Sequence, residues 1–204
     1  MSDRSRSSAD TRPVRVCLVA PSLSILGGQA VAAQRLLERL RDVPGLEVGF
    51  LPHDPRSNAL LRLLQRVKYV RTVATTVAYV ASLFRKLPAY DVVHVFSASY
   101  WSFLLAPTPA ILVGKLLGKR VVLNYRSGEA DDHLRRWRRT AIPTMRRADA
   151  VIAPSGYLVD VFARFGIAAE SIANFVDPEA VRFRHRSSLR PVHRAPATSQ
   201  NGSA

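Results

Sequence analysis

The chain has 204 residues, 48% of them hydrophobic, with 30 Lys+Arg against 15 Asp+Glu and a formal net charge of +15. That apolar fraction excludes a wholly disordered chain, and a single cysteine, Cys17, excludes a disulfide framework within it. The charge asymmetry calls for an anionic partner, whether a membrane surface, a nucleic acid or a phosphorylated substrate.

The opening MSDRSRSSADTRP is polar and lacks an apolar core segment, so residues 1–13 read as a disordered tail and not as a secretory signal. The first predicted strand covers 14–20. Its near-continuous apolar run, with Cys17 as a small buried hydrophobe, suits a strand buried on both sides of a parallel sheet. It leads to Gly27, Gly28 and Gln29 at the head of a predicted helix, 29–42. Two glycines there let a ligand approach bare backbone amides at the positive end of the helix. A tight strand-to-helix turn accounts for them equally well.

Further strands are predicted at 46–51, 91–96, 120–125, 149–153 and 171–176, and further helices at 58–86, 100–117, 131–147 and 155–165. This alternation predicts an α/β fold, a Rossmann-like parallel sheet with helices on both faces, whose ligand lies at the carboxyl ends of the strands. The expected domain spans 14–186. Residues 187–204, poor in apolar side chains and rich in Pro and Ser, read as a disordered basic tail.

Within 58–86, residues 72–84 carry no charge and are closed by Arg85 and Lys86. Thirteen residues are too few to span a bilayer. A helix packed on the sheet and one lying on an anionic membrane both fit, and both hold if only the basic end meets lipid. RRWRR at 135–139 and the Arg146–Arg147 pair read as a solvated helix face or as an anion contact, with Trp137 either at a membrane interface or against a neighbouring helix. His94, inside an apolar strand, reads as a hydrogen-bonded core histidine. His53, His133, His185 and His193 show no metal-ligand spacing, so no metal and no cofactor is expected. The arginines come without a reading motif for nucleic acid. A reduced cytosolic setting is expected, with peripheral contact on the inner membrane face left open.

Five segments in order resemble a known family: VRVCLVAPSLSILGGQAVAAQRLLERL, YDVVHVFS, GKRVVLNYRSGE, RADAVIAPSGYLVDVFARFGI and ESIANFVDPEAVRF. Together they resemble the N-terminal, acceptor-side domain of the large retaining family 4 group of GT-B glycosyltransferases, over roughly residues 14–186. The resemblance implies sugar transfer from a nucleotide-sugar donor to a glycan or lipid-linked acceptor. It also implies a separate donor-binding domain that bears paired glutamates. No such second domain can be placed after Asp177, so the expectation is an acceptor half. It would act with a partner polypeptide carrying the donor domain, or stand as a truncated form of low activity. A non-enzymatic basic module that holds anionic lipid or polysaccharide is the alternative.

On the resemblance, Gly27, Gly28, Gln29, Arg126, Ser127, Glu129 and Ser155 are the candidate substrate contacts, with Arg126 and Glu129 the candidate catalytic residues. Two positions depart from the family's pattern, Arg126 and Phe96, where histidines are common. A guanidinium stays protonated and makes a poor base, but it clamps phosphate or carboxylate bidentately. Glu129 suits a hydrogen bond from a sugar hydroxyl. The competing reading of 126–129 is N-terminal chemistry for the next helix, aided by Asp131 and Asp132. Ser155 reads as a helix cap, with an acceptor contact as the alternative. Asn174 and Asp177 read as organisers of the crossover to a second domain.

Overall fold

The computed structural model of the chain describes residues 12–23, 27–53 and 68–174. The expected tails apart from Arg12 and Pro13, the first part of the predicted helix at 58–67, and Asp177 lie outside the described residues.

Six parallel strands form one sheet in the order β2-β1-β3-β4-β5-β6. They are β1 (Val14–Ala20), β2 (Leu46–Pro52), β3 (Val92–Ser97), β4 (Arg120–Tyr125), β5 (Ala150–Ala153) and the short β6 (Glu170–Ser171). β1 lies between β2 and β3 and is buried from Val16 to Ala20, as its apolar run requires. Leu18 stands opposite Phe50 on one side and His94 on the other. The last strand is shorter than its sequence promised. Only Glu170 and Ser171 pair with β5, and Ile172 to Asn174 continue exposed beyond the ladder.

The helices are α1 (Gly28–Arg41), α2 (Lys68–Lys86), α3 (Tyr100–Leu105), α4 (Pro107–Leu116), α5 (Ala130–Arg136), α6 (Arg138–Met145) and α7 (Gly156–Arg164). Two predicted helices are each divided. The stretch 100–117 breaks at Ala106, where Pro107 opens a new helix at a position that needs no N–H donor. The stretch 131–147 breaks at Trp137, whose backbone leaves helical geometry. Among the described residues, no helix is long and apolar enough to cross a membrane.

The two faces of the sheet are covered unequally. One carries the larger core, in which Val19, Val93, Val95, Val121, Leu123 and Tyr125 meet side chains of α2 and α4 to α7. Gly114 lets α4 lie close there: a Cβ at that position would sit 3.0 Å from Val121. On the opposite face, the described core is smaller. Leu18, Ala20 and Phe96 pack with Ala33 and Leu37 of α1. Helices on both faces were expected; among the described residues α1 alone packs on the second.

α2 shows how one apolar helix serves packing and surface together. Tyr79 and Leu83 are buried, and the Tyr79 hydroxyl donates to the carbonyl of Ala106 at 3.0 Å. Val73, Val77 and Phe84 of the same helix are exposed.

Candidate functional site

The order of the strands reverses between β1 and β3, so the crevice at their carboxyl ends is where an open α/β sheet accepts ligands. α1 starts at that crevice. The Gln29 side-chain amide donates to the carbonyl of Ser97 at the end of β3, at 3.2 Å, and ties the helix start to the sheet. Gly27 is extended (φ −174°), and neither Gly27 nor Gly28 has the positive φ that demands glycine. A Cβ built on either meets no described atom within 4 Å. The turn therefore does not require these glycines by its conformation. Among the described residues, what they leave is open space at the head of α1.

Gly28 lines two cavities. One, of about 520 Å³, lies between α1, α2 and β3, with Gly27, Gln29, His53, Phe96 and the threonines Thr72, Thr75 and Thr76 on its wall. The other, of about 470 Å³, lies along the thinly covered sheet face, between α1 and the segment after β6. Its polar lining is Arg35, His94, Asn124, Arg126 and Asn174. Arg126 stands at this second cavity because its amide donates to the Ser97 carbonyl at 3.0 Å, which fixes the end of β4 beside that of β3.

The guanidinium of Arg126 lies over the Phe96 ring, 5.4 Å from its centroid, and donates to the Asn174 side-chain oxygen. The two positions that depart from the family's histidines thus touch each other as a cation–π pair. Burial lowers the Arg126 pKa from its ordinary value, yet a guanidinium remains charged at neutral pH. Below it, the His94 ring meets Asn124 at 3.2 Å. Burial first, and then the Arg126 charge, hold His94 down at about 4, so it is neutral at pH 7. The core-histidine reading holds for its hydrogen bond, while its ring also faces the cavity.

Ser127 and Glu129 form a second cluster, beside the cavities but not on their walls. Ser99 donates to the Glu129 carboxylate at 3.2 Å, the Ser99 and Ser127 hydroxyls are 2.7 Å apart, and the Glu129 amide donates to Ser127 at 3.3 Å. Glu129 does occupy the N-cap position of α5, but its side chain makes no capping bond. The first-turn acids pair elsewhere, Asp131 with Arg135 and Asp132 with Arg136. Behind the cluster, Tyr125 shares a 3.0 Å hydrogen bond with His133. Burial keeps that imidazole near pKa 4, among the rings of Tyr100, Phe103 and Trp137. Tyr100 has φ +55°, a left-handed conformation that bulky side chains rarely adopt, and its hydroxyl donates to Asp132. That bond is the main reason its pKa rises to about 12.

Ser155 sits apart. It is the N-cap residue of α7 by position, with its carbonyl accepting from Leu158 and Val159, but its hydroxyl makes no capping bond and lines neither cavity. Among the described residues, no three His, Cys, Asp or Glu side chains gather to hold a metal ion.

Sequence reasoning missed Ser99, Asn124 and the three threonines. Asn124 had a signal, a lone amide in an apolar strand. The threonines had one too, since 72, 75 and 76 share a helical face by their i, i+3, i+4 spacing. Ser99 had none.

Residues 26–180 match the family model described as Glycosyltransferase Family 4, while no curated protein matches the chain. The matched span takes in strands β2 to β6, the glycines at the crevice, and the Arg126 loop. A match over more than half of the chain, on a six-stranded parallel sheet with its polar groups at the strand ends, establishes that this chain belongs to Glycosyltransferase Family 4 and carries the Rossmann-like half of a GT-B fold.

Proposed function

We propose that this domain binds the acceptor in a sugar transfer from a nucleotide-sugar, with the anomeric configuration retained. The donor's nucleotide would be gripped by a second unit, in the same polypeptide or a separate one. The observation that carries this reading is the placement of Gly28 between two cavities at the switch point of the sheet, one walled by threonines and Gln29, the other by Arg126 and Asn174. Hydroxyl and amide groups on a partly apolar wall suit a sugar. A charged guanidinium held by Phe96 and Asn174 suits a phosphate or carboxylate on the acceptor or donor. Glu129, oriented by Ser99, suits a hydrogen bond from an acceptor hydroxyl. Arg126 acts as a charge clamp in this scheme and not as a base.

A second reading has its own observation. Val73, Val77 and Phe84 form an exposed apolar stripe on α2 that ends beside Arg85 and Lys86, which suits a peripheral contact with an anionic bilayer. One experiment separates the two. Sugar transfer from radiolabelled nucleotide-sugars is measured with the full chain alone and with candidate donor-binding polypeptides, and Arg126→Gln and Glu129→Gln are run beside it. Transfer that falls at least about tenfold in either variant supports the enzymatic reading, since hydrogen bonds to charged groups contribute roughly 1.5–3 kcal/mol. No transfer in any pairing by a folded chain, with salt-sensitive sedimentation on phosphatidylglycerol vesicles, would favour the module reading instead.

A further inference from the structure

A third concavity, of about 1200 Å³, lies away from the carboxyl-end cavities, between α5, α6 and the end of α7. Six arginines line it: Arg135, Arg136, Arg138, Arg139, Arg146 and Arg164. Four have protein partners. Arg135 and Arg164 reach Asp131, Arg136 reaches Asp132, and Arg146 donates to the Phe165 carbonyl. Arg138 and Arg139 are exposed, and no acidic partner is described for them.

These two occupy the first turn of α6, which has no acidic residue. Cations are unfavourable at the positive end of a helix and beside other cations. The protein therefore keeps six positive charges around one hollow, two of them on the wrong end of a helix, and among the described residues two carboxylates, Asp131 and Asp132, pair with them. A bound polyanion would offset the rest.

The wall between the arginines is apolar and aromatic, with Trp137, Ile142, Pro143 and Phe165. Trp137 meets Trp101 edge to face, ring centroids 5.0 Å apart, and Trp101 is exposed two residues beyond Ser99. The groove thus connects through a pair of tryptophans to the edge where Ser99 orients Glu129.

We infer that this groove holds an acidic glycan, a sugar chain bearing carboxylates. Guanidinium forks match carboxylates bidentately, and the apolar body of Trp137 on the wall suits the C–H surface of a sugar ring. The hollow shape suits a chain laid into it, whereas a flat bilayer meets convex surfaces. The choice of a glycan rests on the glycosyl-transfer reading above. The test is a binding measurement without turnover, so its failure is distinguishable from a failure of the transfer assay.

Both tryptophans of the chain lie at this corner, so intrinsic fluorescence reports on it directly. The full chain is titrated with a short oligogalacturonate, with neutral dextran, and with phosphatidylglycerol vesicles. The expected result is saturable oligogalacturonate binding that weakens by about tenfold or more in the Arg138→Gln/Arg139→Gln double variant. It should change by less than about twofold in Arg85→Gln/Lys86→Gln, which removes equal charge from the end of α2. Equal weakening in both variants would reduce the effect to net charge and overturn the proposal. So would binding of dextran as strong as that of the uronate, or binding of vesicles with none of oligogalacturonate.

Discussion

The two faces of the sheet do different work. On the face covered by α2 and α4 to α7, Cys17 and Val19 of β1, Val93 and Val95 of β3, and Val121 and Leu123 of β4 are apolar and almost completely buried. On the other face, α1 covers β1, while His94, Asn124 and Arg126 line a cavity over β3 and β4. Neighbouring residues of β4 therefore face opposite demands: Leu123 is core and Asn124 is cavity wall. Chemistry sits where the described packing is thin, and the hydrogen bond between His94 and Asn124 offsets part of the cost of burying both groups there.

The comparison is sharpened most by paired truncations on one strand. Leu123→Ala removes a fully buried side chain from the packed face and should destabilise by about 2–5 kcal/mol. Val122→Ala, on the half-buried open face, should cost under about 1.5 kcal/mol, because less surface leaves water and the neighbours can relax. Urea midpoints of the two variants measure the difference. Equal losses would mean that the second face is as tightly covered as the first.

Acid tests the same contrast through two histidines. His133 is on the buried side of α5, on the packed face, and His94 on the cavity side, and burial depresses both to about 4 from an ordinary 6.5. Between pH 6.5 and 4 the unfolded chain therefore binds more protons than the folded one, so stability is full above this window and is lost as pH falls through it. The loss should be about 3 kcal/mol for each histidine by pH 4. Arg126→Gln removes a charge that opposes protonation of His94 but touches nothing at His133. It should raise the His94 pKa and leave His133 in place, read by NMR titration of the two rings. An unmoved His94 would place Arg126 farther from it than the cavity geometry implies.

How much of this was legible depended on what kind of interaction set each feature. Parallel strands buried on both faces must be apolar runs, so β1, β3, β4 and β5 stood out to within a residue or two. β6 did not, because a two-residue edge strand is defined by pairing to Ile152 and Ala153 and not by its own composition. The helix break at Ala106 had a signal in Pro107, which opens the next helix, whereas the break at Trp137 lies in a stretch, 131–142, without glycine or proline and had none. In the site, the rule that ligands lie beyond strand ends singled out Gly28 and Arg126, and both line one cavity. Phe96 and Arg126 were each visible as unusual, thirty positions apart. Only the parallel register of β3 and β4, with Phe96 opposite Asn124, joins them into one stacked pair.

The smallest expected effect is also the one whose sign decides most. Gly28 heads α1, has no positive φ, and has room for a methyl group. If glycine were there for the turn, Gly28→Ala would be destabilising. If it is there for a ligand, alanine should stabilise the fold by about 0.4–1 kcal/mol, because it restricts the unfolded chain without straining the folded one. The same methyl would project into the space shared by the two cavities, so the acceptor KM in the transfer assay should rise several-fold. Thermal unfolding and acceptor titration on one preparation give both numbers. A protein made more stable and worse at its task would mark Gly28 as open ground reserved for substrate, and a loss of stability with unchanged KM would return it to the turn.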